Sequence, residues 1–134
     1  MEKLTINRKI LVKAKVTEGF KKDLIQELQE GINKLEAELK FIEQRAKKMI
    51  TELTLKASPQ VAAVREQFEY EKLKREETKE KMAEQIKFIS TLEIGNEVVQ
   101  GEIEGPLEIQ VGDNWDEIMQ REILLEDGLI IAIR

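Results

Sequence analysis

The sequence predicts an α+β protein, in which a long antiparallel helical hairpin of the coiled-coil type is joined to a small β-sheet or barrel. Three observations support this fold class. Residues 1–16 alternate apolar and charged side chains, which is typical of a half-buried strand. Residues 17–92 carry apolar residues at heptad spacing, with a turn expected near 56–59. Residues 93–134 hold short apolar runs separated by glycines, as in a small β domain.

The N-terminal strand is predicted over residues 4–16 and is expected to join the β base. Its apolar side chains occupy even positions, while lysines take odd ones. The apolar even positions are Leu4, Ile6, Ile10, Val12, Ala14 and Val16. One face of this strand is therefore expected to be buried, and the other to be exposed to water.

The first helix is predicted to begin at Thr17, because a threonine hydroxyl accepts a hydrogen bond from a free N–H of the first turn. From Ile32 onward the apolar residues are three and four positions apart, which is the seam of a coiled coil. The seam consists of Ile32, Leu35, Leu39, Ile42, Ala46, Met49 and Leu53. Gly31 interrupts this helix, either to permit a close backbone approach or as a residue tolerated at about 1 kcal/mol.

The second helix is predicted to start at Ser58-Pro59, because serine caps a helix and proline fits its first position. It is expected to end near Leu92, and its middle third is polar. Two long helices joined by a tight turn fold back on each other. The first strand and the C-terminal region are therefore expected at the same end of the hairpin.

Five strands are expected in the β base: the N-terminal strand and four others between turn residues. The C-terminal strands are predicted over residues 98–104, 107–111, 122–126 and 129–133. Asp127-Gly128 is a strong signal for a two-residue hairpin. Residues 116–121 fit a single helical turn.

The net charge of −5 is distributed unevenly along the chain. Residues 1–16 carry +4, residues 17–92 are neutral and residues 93–134 carry −9. An acidic segment is a poor surface for phosphate backbones. We expect the basic first strand to pair with the acidic C-terminal strands.

The composition excludes several kinds of catalytic and metal site. The chain has no cysteine and no histidine, which rules out structural zinc, thiol nucleophiles and serine–histidine triads. Glu102 and Glu104 are expected on the solvent face of a strand, and Asp113 and Asn114 in a turn. Trp115 is expected to fill the core of the β domain. We therefore predict a protein that is not an enzyme and has no cofactor or metal.

Three groups of residues are candidates for binding partners. Apolar residues at the hairpin tip are candidates for contact with a partner protein: Ile50, Leu53, Leu55, Val61 and Val64. Basic residues towards the tip are candidates for contact with nucleic acid: Arg45, Lys47, Lys48 and Lys56. Seam residues that a polar second helix covers poorly are candidates for a homo-oligomer interface: Leu35, Leu39 and Ile42.

The function expected from these features is non-catalytic protein–protein interaction or scaffolding, of a chaperone-like kind, through the coiled-coil arm. The alternative is an RNA- or ribosome-associated factor that contacts nucleic acid through the basic part of the arm. No signal peptide and no apolar run of membrane-spanning length is evident, so we expect a cytoplasmic protein without membrane contact.

Three stretches of the chain resemble the YlqD family of bacterial proteins. They are INRKILVKAKVTEGF at residues 6–20, LEIGNEVVQGEIEGPLEIQVGDNWDEI at residues 92–118 and EILLEDGLIIAIR at residues 122–134. The resemblance implies a cytoplasmic bacterial protein and carries over no catalytic residues.

Overall fold

The computed structural model describes residues 2–134, which form four strands and three helices. Their bounds are β1 Lys3–Lys15, α1 Glu18–Leu55, α2 Val61–Thr91, β2 Glu97–Gln110, α3 Trp115–Met119, β3 Glu122–Glu126 and β4 Leu129–Ile133. The chain separates into two compact units. The sheet unit combines the chain up to Lys21 with Leu92–Arg134, and the helical unit is Lys22–Thr91.

The four strands form one mixed sheet with the order β2-β1-β3-β4. β1 pairs antiparallel with β2 and parallel with β3, and β3 pairs antiparallel with β4. The α+β class is therefore confirmed. The sheet is open, with β2 and β4 at its edges, so the barrel that the sequence left as an alternative is not confirmed.

The prediction of five strands is wrong, because the two segments predicted on either side of Gly105-Pro106 form a single strand, β2. Pro106 lies opposite Asn7 within the paired register of β1 and β2. A proline lacks the N–H that a strand donates to its neighbour, and edge strands tolerate this loss. Since β2 has a neighbour on one side only, the dipeptide that suggested a turn is accommodated inside the strand.

The alternation in β1 produces an apolar face of the sheet, as predicted. Directly paired residues of adjacent antiparallel strands lie on the same face. Ile6 pairs with Leu107 and Ile10 pairs with Ile103, so β1 and β2 contribute apolar residues to one face.

The opposite face carries charged residues of both signs. Lys13 Nζ lies 2.9 Å from a Glu122 carboxylate oxygen, and Lys3 Nζ lies 3.6 Å from one of Glu108. The expectation that the basic first strand pairs with the acidic C-terminal strands is confirmed. These contacts join segments about a hundred residues apart, so local sequence cannot form them alone.

The buried residues of the sheet unit lie towards the end of β1. Val16 is fully buried, and Ala14 and Leu124 are nearly so. The Val16 N–H donates to the Asn96 carbonyl at 2.7 Å, and its carbonyl accepts from the Gly95 N–H at 2.8 Å. This residue is therefore held by both backbone groups and by its side chain.

Thr17 caps α1 as predicted, and it also contacts the β3–β4 turn. Its hydroxyl oxygen accepts from the Phe20 N–H at 3.0 Å and donates to Asp127 Oδ1 at 2.6 Å. Asp127 and Gly128 have φ angles of 48° and 84° and connect β3 to β4 directly. A two-residue turn with two positive φ angles is the one that matches the twist of a hairpin, so this prediction is confirmed.

In the helical unit, buried side chains are few and ion pairs connect the two helices. Ile32 in α1 and Ile89 in α2 are buried. Three ion pairs join α1 to α2 at 3.1–3.3 Å: Glu36–Lys79, Glu38–Arg75 and Glu43–Lys72. The residue numbers of the partners increase along α1 and decrease along α2, which is typical of two helices that run in opposite directions. No helix within residues 2–134 combines the length and the apolar character needed to cross a bilayer.

Helix α2 begins at Val61, two residues later than predicted. The Ser58 hydroxyl accepts from the Gln60 N–H at 3.2 Å, and the Ser58 N–H donates to the Leu53 carbonyl at 2.9 Å. Ser58 therefore closes the end of α1 as well as the turn.

At Gly31, an added Cβ would lie 3.1 Å from Met82 Sδ, so the close approach here is by a side chain.

The prediction that Trp115 fills the core is wrong, because its side chain is 59% exposed. Trp115 begins the one-turn helix α3, in which Ile118 is the half-buried residue. So short a helix turns only one face inwards. Asp113 and Asn114 are turn residues as expected, since Asp113 accepts from the Gln110 N–H and Asn114 from the Glu117 N–H.

Candidate functional site

A groove with a volume of about 770 Å³ lies between α1 and α2 in the helical unit. We call it the α1–α2 groove. From α1 it is lined by Lys34, Ala37, Glu38, Phe41, Ile42, Arg45 and Met49, and from α2 by Gln67, Phe68, Glu71 and Arg75.

The helical period explains why these residues share one groove. Ala37, Phe41, Arg45 and Met49 are four positions apart, and residues at this spacing stack on one face of a helix. Ala37, Phe41 and Arg45 lie beside the heptad seam, and the row meets the seam at Met49. The groove therefore includes positions next to the seam that the heptad pattern does not reveal.

The apolar side chains of the groove differ in how much water reaches them. Ile42 and Phe68 are half-buried and lie between the two helices. Phe41 is 62% exposed and Met49 is 38% exposed. Large apolar side chains exposed together in a concave surface are typical of an interaction site.

An ion cluster closes one part of the groove. Arg75 Nε lies 3.1 Å from Glu38 Oε2, and Arg75 Nη1 lies 2.6 Å from Glu71 Oε2. The hydrogen bonds that Arg75 donates to Glu71 and then to Glu38 raise the pKa of Arg75, and the bond that Glu71 accepts from Arg75 lowers the pKa of Glu71. The charges of this cluster are therefore engaged with one another.

A smaller groove of about 340 Å³ lies on the other side of the same helix pair. Ile42 and Phe68 line it too, so these two residues form the partition between the grooves. Its rim is polar and includes Glu43 and Lys72, which are 3.2 Å apart. The hydrogen bond that Lys72 donates to Glu43 raises the pKa of Lys72. Of these two grooves, only the larger has exposed large apolar side chains in its lining.

The structure distributes the predicted tip residues over two environments. Four of them are half-buried where α1 ends and α2 begins: Ile50, Leu53, Val61 and Val64. Leu55, the last residue of α1, is 82% exposed. Of this group, Leu55 alone presents most of its side chain to water.

The predicted basic residues do not share one surface. Arg45 lines the α1–α2 groove, whereas Lys47 lines the smaller groove on the other side. Lys48 is exposed on α1, and Lys56 is exposed in the turn after it. Positions 45 and 47 are about 200° apart around a helix, which accounts for the separation.

The residues of the predicted oligomer seam are partly covered within the single chain. Leu35, Leu39 and Ile42 are all half-buried. Ile42 reaches both grooves, as described above.

Sequence reasoning missed Phe41, the most exposed large apolar residue of the α1–α2 groove. A signal was present: an aromatic residue stands one position before Ile42, outside the heptad seam and in the row that is spaced by four. Heptad reading assigned importance only to the seam and so passed over the neighbouring row.

These features define a class of α+β protein with an open mixed sheet and two long helices inserted between its first and second strands. The model of the YlqD protein family matches residues 4–134. The chain belongs to the YlqD family.

A solved structure supports the same fold over nearly the whole chain. The crystal structure of a protein of unknown function from Synechococcus sp. WH 8102 is 33% identical to this chain, with a TM-score of 0.77. The similarity covers 98% of this chain and 95% of the other. A search of curated proteins found no match.

Proposed function

We propose that this protein is a non-catalytic interaction protein whose α1 and α2 form an antiparallel coiled-coil arm. The arm binds an amphipathic helix of a partner protein in the α1–α2 groove and acts as a chaperone-like scaffold. The observation that carries this proposal is Phe41, 62% exposed in a concave groove of about 770 Å³.

The dimensions of the groove favour a helix as the occupant. The stretch from Lys34 to Met49 spans about 22 Å at 1.5 Å per residue, or about four turns of a helix. Helix-in-groove recognition uses apolar anchors three and four positions apart, which matches the spacing of the row in α1. A small molecule would occupy only a fraction of this length.

The charged residues that line the groove indicate the charge of the partner helix. Lys34 and Arg45 line the groove and form no ion pair with other residues in the described range 2–134, whereas Glu38 and Glu71 are held by Arg75. The free charges beside the apolar floor are therefore positive. The partner helix has an apolar face flanked by acidic residues.

The shifted pKa values support a structural role for the charged groups. In the sheet unit, Lys13 and then Arg134 lower the pKa of Glu122 by hydrogen bonding, and Glu97 and then Glu122 raise the pKa of Arg134. Glu71, Lys72 and Arg75 take part in the ion pairs of the helical unit. Each of these groups is matched by an opposite charge, which is typical of structural ion pairs.

Site-specific photo-crosslinking tests the proposal. Phe41 is replaced by benzoyl-phenylalanine in the full chain, with Leu55 and Tyr70 replaced in parallel. Tyr70 is the matched control, because it is 60% exposed and lies outside the groove. Cross-linked segments are identified by mass spectrometry in cells and after nuclease treatment.

The expected result is that position 41 cross-links to amphipathic helical segments with acidic flanks, independently of nuclease, and that position 70 does not. A synthetic peptide of such a segment binds the wild type and the Tyr70→Glu variant alike. Its affinity for Phe41→Glu is lower by about tenfold or more, since one buried anchor typically contributes more than 1 kcal/mol. Cross-links to RNA at position 41 support the nucleic-acid alternative, and equal cross-linking at 41 and 70 contradicts a specific groove.

A further inference from the structure

The two edges of the sheet have opposite character. β2 carries four glutamates and Pro106 along one edge: Glu97, Glu102, Glu104 and Glu108 are the glutamates. β4, at the other edge, is the run LIIAI, with no charged residue, proline or glycine. Charges and proline are the usual protection of a sheet edge against pairing with another strand. β2 has that protection, whereas β4 has neither charge nor proline and departs from a regular strand only in the register shift at Ile131 within its pairing with β3.

The side chains of β4 are exposed to water on both faces of the sheet. Leu129 is 71% exposed, Ile130 60%, Ile131 46% and Ile133 63%. Ile133 pairs with Ile123 and Leu129 pairs with Glu126, and these pairs lie on opposite faces. An added strand at this edge would cover apolar surface on both faces at once.

The backbone of β4 also offers free hydrogen-bonding groups at the edge. The Arg134 N–H and carbonyl both bond to Glu122, at 3.0 and 2.6 Å. Backbone groups of successive strand residues point to alternate sides, so the N–H and carbonyl of Ile133 point away from β3. A strand laid against β4 would bond to these groups.

We propose that β4 pairs antiparallel with β4 of a second copy of this chain and so joins two sheets into one continuous sheet. Charge favours the second copy in this direction. Glu126 and Asp127 precede β4, and Arg134 follows it. Antiparallel pairing places each Arg134, which already contacts Glu97 and Glu122 of its own copy, near the acidic pair of the other copy. Parallel pairing would place like charges together.

The same geometry limits the assembly to two copies. An antiparallel pair of identical strands has a two-fold axis and uses the same edge of both copies. The outer edges of the joined sheet are then the two β2 strands, which are protected by glutamates and Pro106. The contact closes on itself as a dimer. When Arg134 of one copy lies opposite the Asp127-Gly128 turn of the other, the two-fold axis passes close to Ile131 of both copies.

Sedimentation equilibrium of the full chain over a dilution series tests the dimer. The wild type is expected at twice 15.5 kDa. Ile133→Lys is expected at 15.5 kDa, with a dissociation constant raised about tenfold or more, because the ammonium group would enter an apolar contact. The control Val99→Lys changes a residue of similar exposure, 61% against 63%, on the other edge strand and keeps the dimer.

A cysteine substitution provides a second readout that does not depend on a lysine in the strand. The chain contains no cysteine, so Ile131→Cys and Val99→Cys each supply a single thiol. Directly opposed strand residues are within disulfide reach, so mild oxidation cross-links Ile131→Cys into a dimer and leaves Val99→Cys uncross-linked.

A monomeric wild type, a dimer that survives Ile133→Lys, or equal cross-linking at the two positions would overturn the proposal. Loss of the dimer in Leu39→Glu with its retention in Ile133→Lys would assign the contact to α1 instead. The groove proposal does not depend on any of these outcomes, because the β4 edge belongs to the other unit.

Discussion

The sheet unit and the helical unit are stabilised in different ways. In the sheet unit, the buried side chains Ala14, Val16 and Leu124 lie near one end of β1, and they come from segments more than a hundred residues apart. In the helical unit, the buried residues Ile32 and Ile89 lie on a contiguous stretch of chain, and ion pairs join the helices between them. The sheet concentrates its core at one place, whereas each long helix buries a single residue and ion pairs connect the two helices.

This difference explains where surface remains available for binding. A seam with few buried positions leaves its middle section, around Ile42 and Phe68, only half-buried. A sheet whose core lies at one end of β1 leaves its far edge, β4, uncovered. The two candidate contact surfaces are thus the places that each core does not reach.

The largest effect is expected for Ile32→Ala in the helical unit. Removing most of a buried isoleucine side chain lowers the free energy of unfolding by about 3 kcal/mol. Hydrogen exchange followed by mass spectrometry should show faster exchange in residues 22–91 and little change in the strands. Leu73→Ala, at a side chain that is 55% exposed, is the control and should change stability by less than about 0.5 kcal/mol. Equal acceleration in both units would remove the distinction drawn between them.

A smaller effect is expected for Val16→Ala in the sheet unit. Two methyl groups are lost from a fully buried site, which lowers the free energy of unfolding by about 2 kcal/mol. Here exchange should accelerate in the strands and leave the helices unchanged. Val99→Ala, at a 61% exposed valine of β2, is the matched control. If the helices lose protection as well, the two units unfold as one.

The smallest effect, and one that depends on pH, is expected for Glu122→Gln. Lys13 and Arg134 lower the folded-state pKa of Glu122, so its carboxylate stabilises the fold at pH values above the unfolded pKa, which is about 4.3. That stabilisation is lost as pH falls through the lowered folded-state pKa. Urea unfolding should show wild type more stable than the variant at pH 7, with the difference shrinking towards pH 3.

The control for this prediction is Glu102→Gln, because Glu102 forms no ion pair within residues 2–134. Its stability relative to wild type should change little between the two pH values. A Glu122→Gln variant whose deficit stays constant with pH would show that the effect does not come from the carboxylate charge.

Several local features were predictable because their signals act over a few residues. The Thr17 cap needs only the N–H of Phe20, and the Asp127-Gly128 turn needs only two positive φ angles between two strands. The alternation in β1 is likewise a property of consecutive residues. For each of these, the interaction that forms the structure lies inside the stretch that shows the pattern.

The predictions that failed depended on neighbours distant in the sequence. Gly105-Pro106 was taken for a turn because proline breaks most strands, but β2 has a neighbour on one side only. Trp115 was assigned to a core because large aromatic residues are usually buried, but α3 is too short to turn it inwards. Phe41 was missed because its exposure depends on which side of α1 is left uncovered when α2 packs against the seam.

By itself, the sequence determined the α+β class, the long helices and the charge complementarity between the first strand and the C-terminal segment. Hydrophobic periodicity and charge distribution are properties of consecutive residues, so they can be obtained from the sequence alone. Only the tertiary structure decided that the sheet stays open, that β4 forms its unprotected edge, and that Phe41 lies in a groove. Those properties depend on which surfaces remain uncovered after all the elements have packed, and burial is a property of the whole fold.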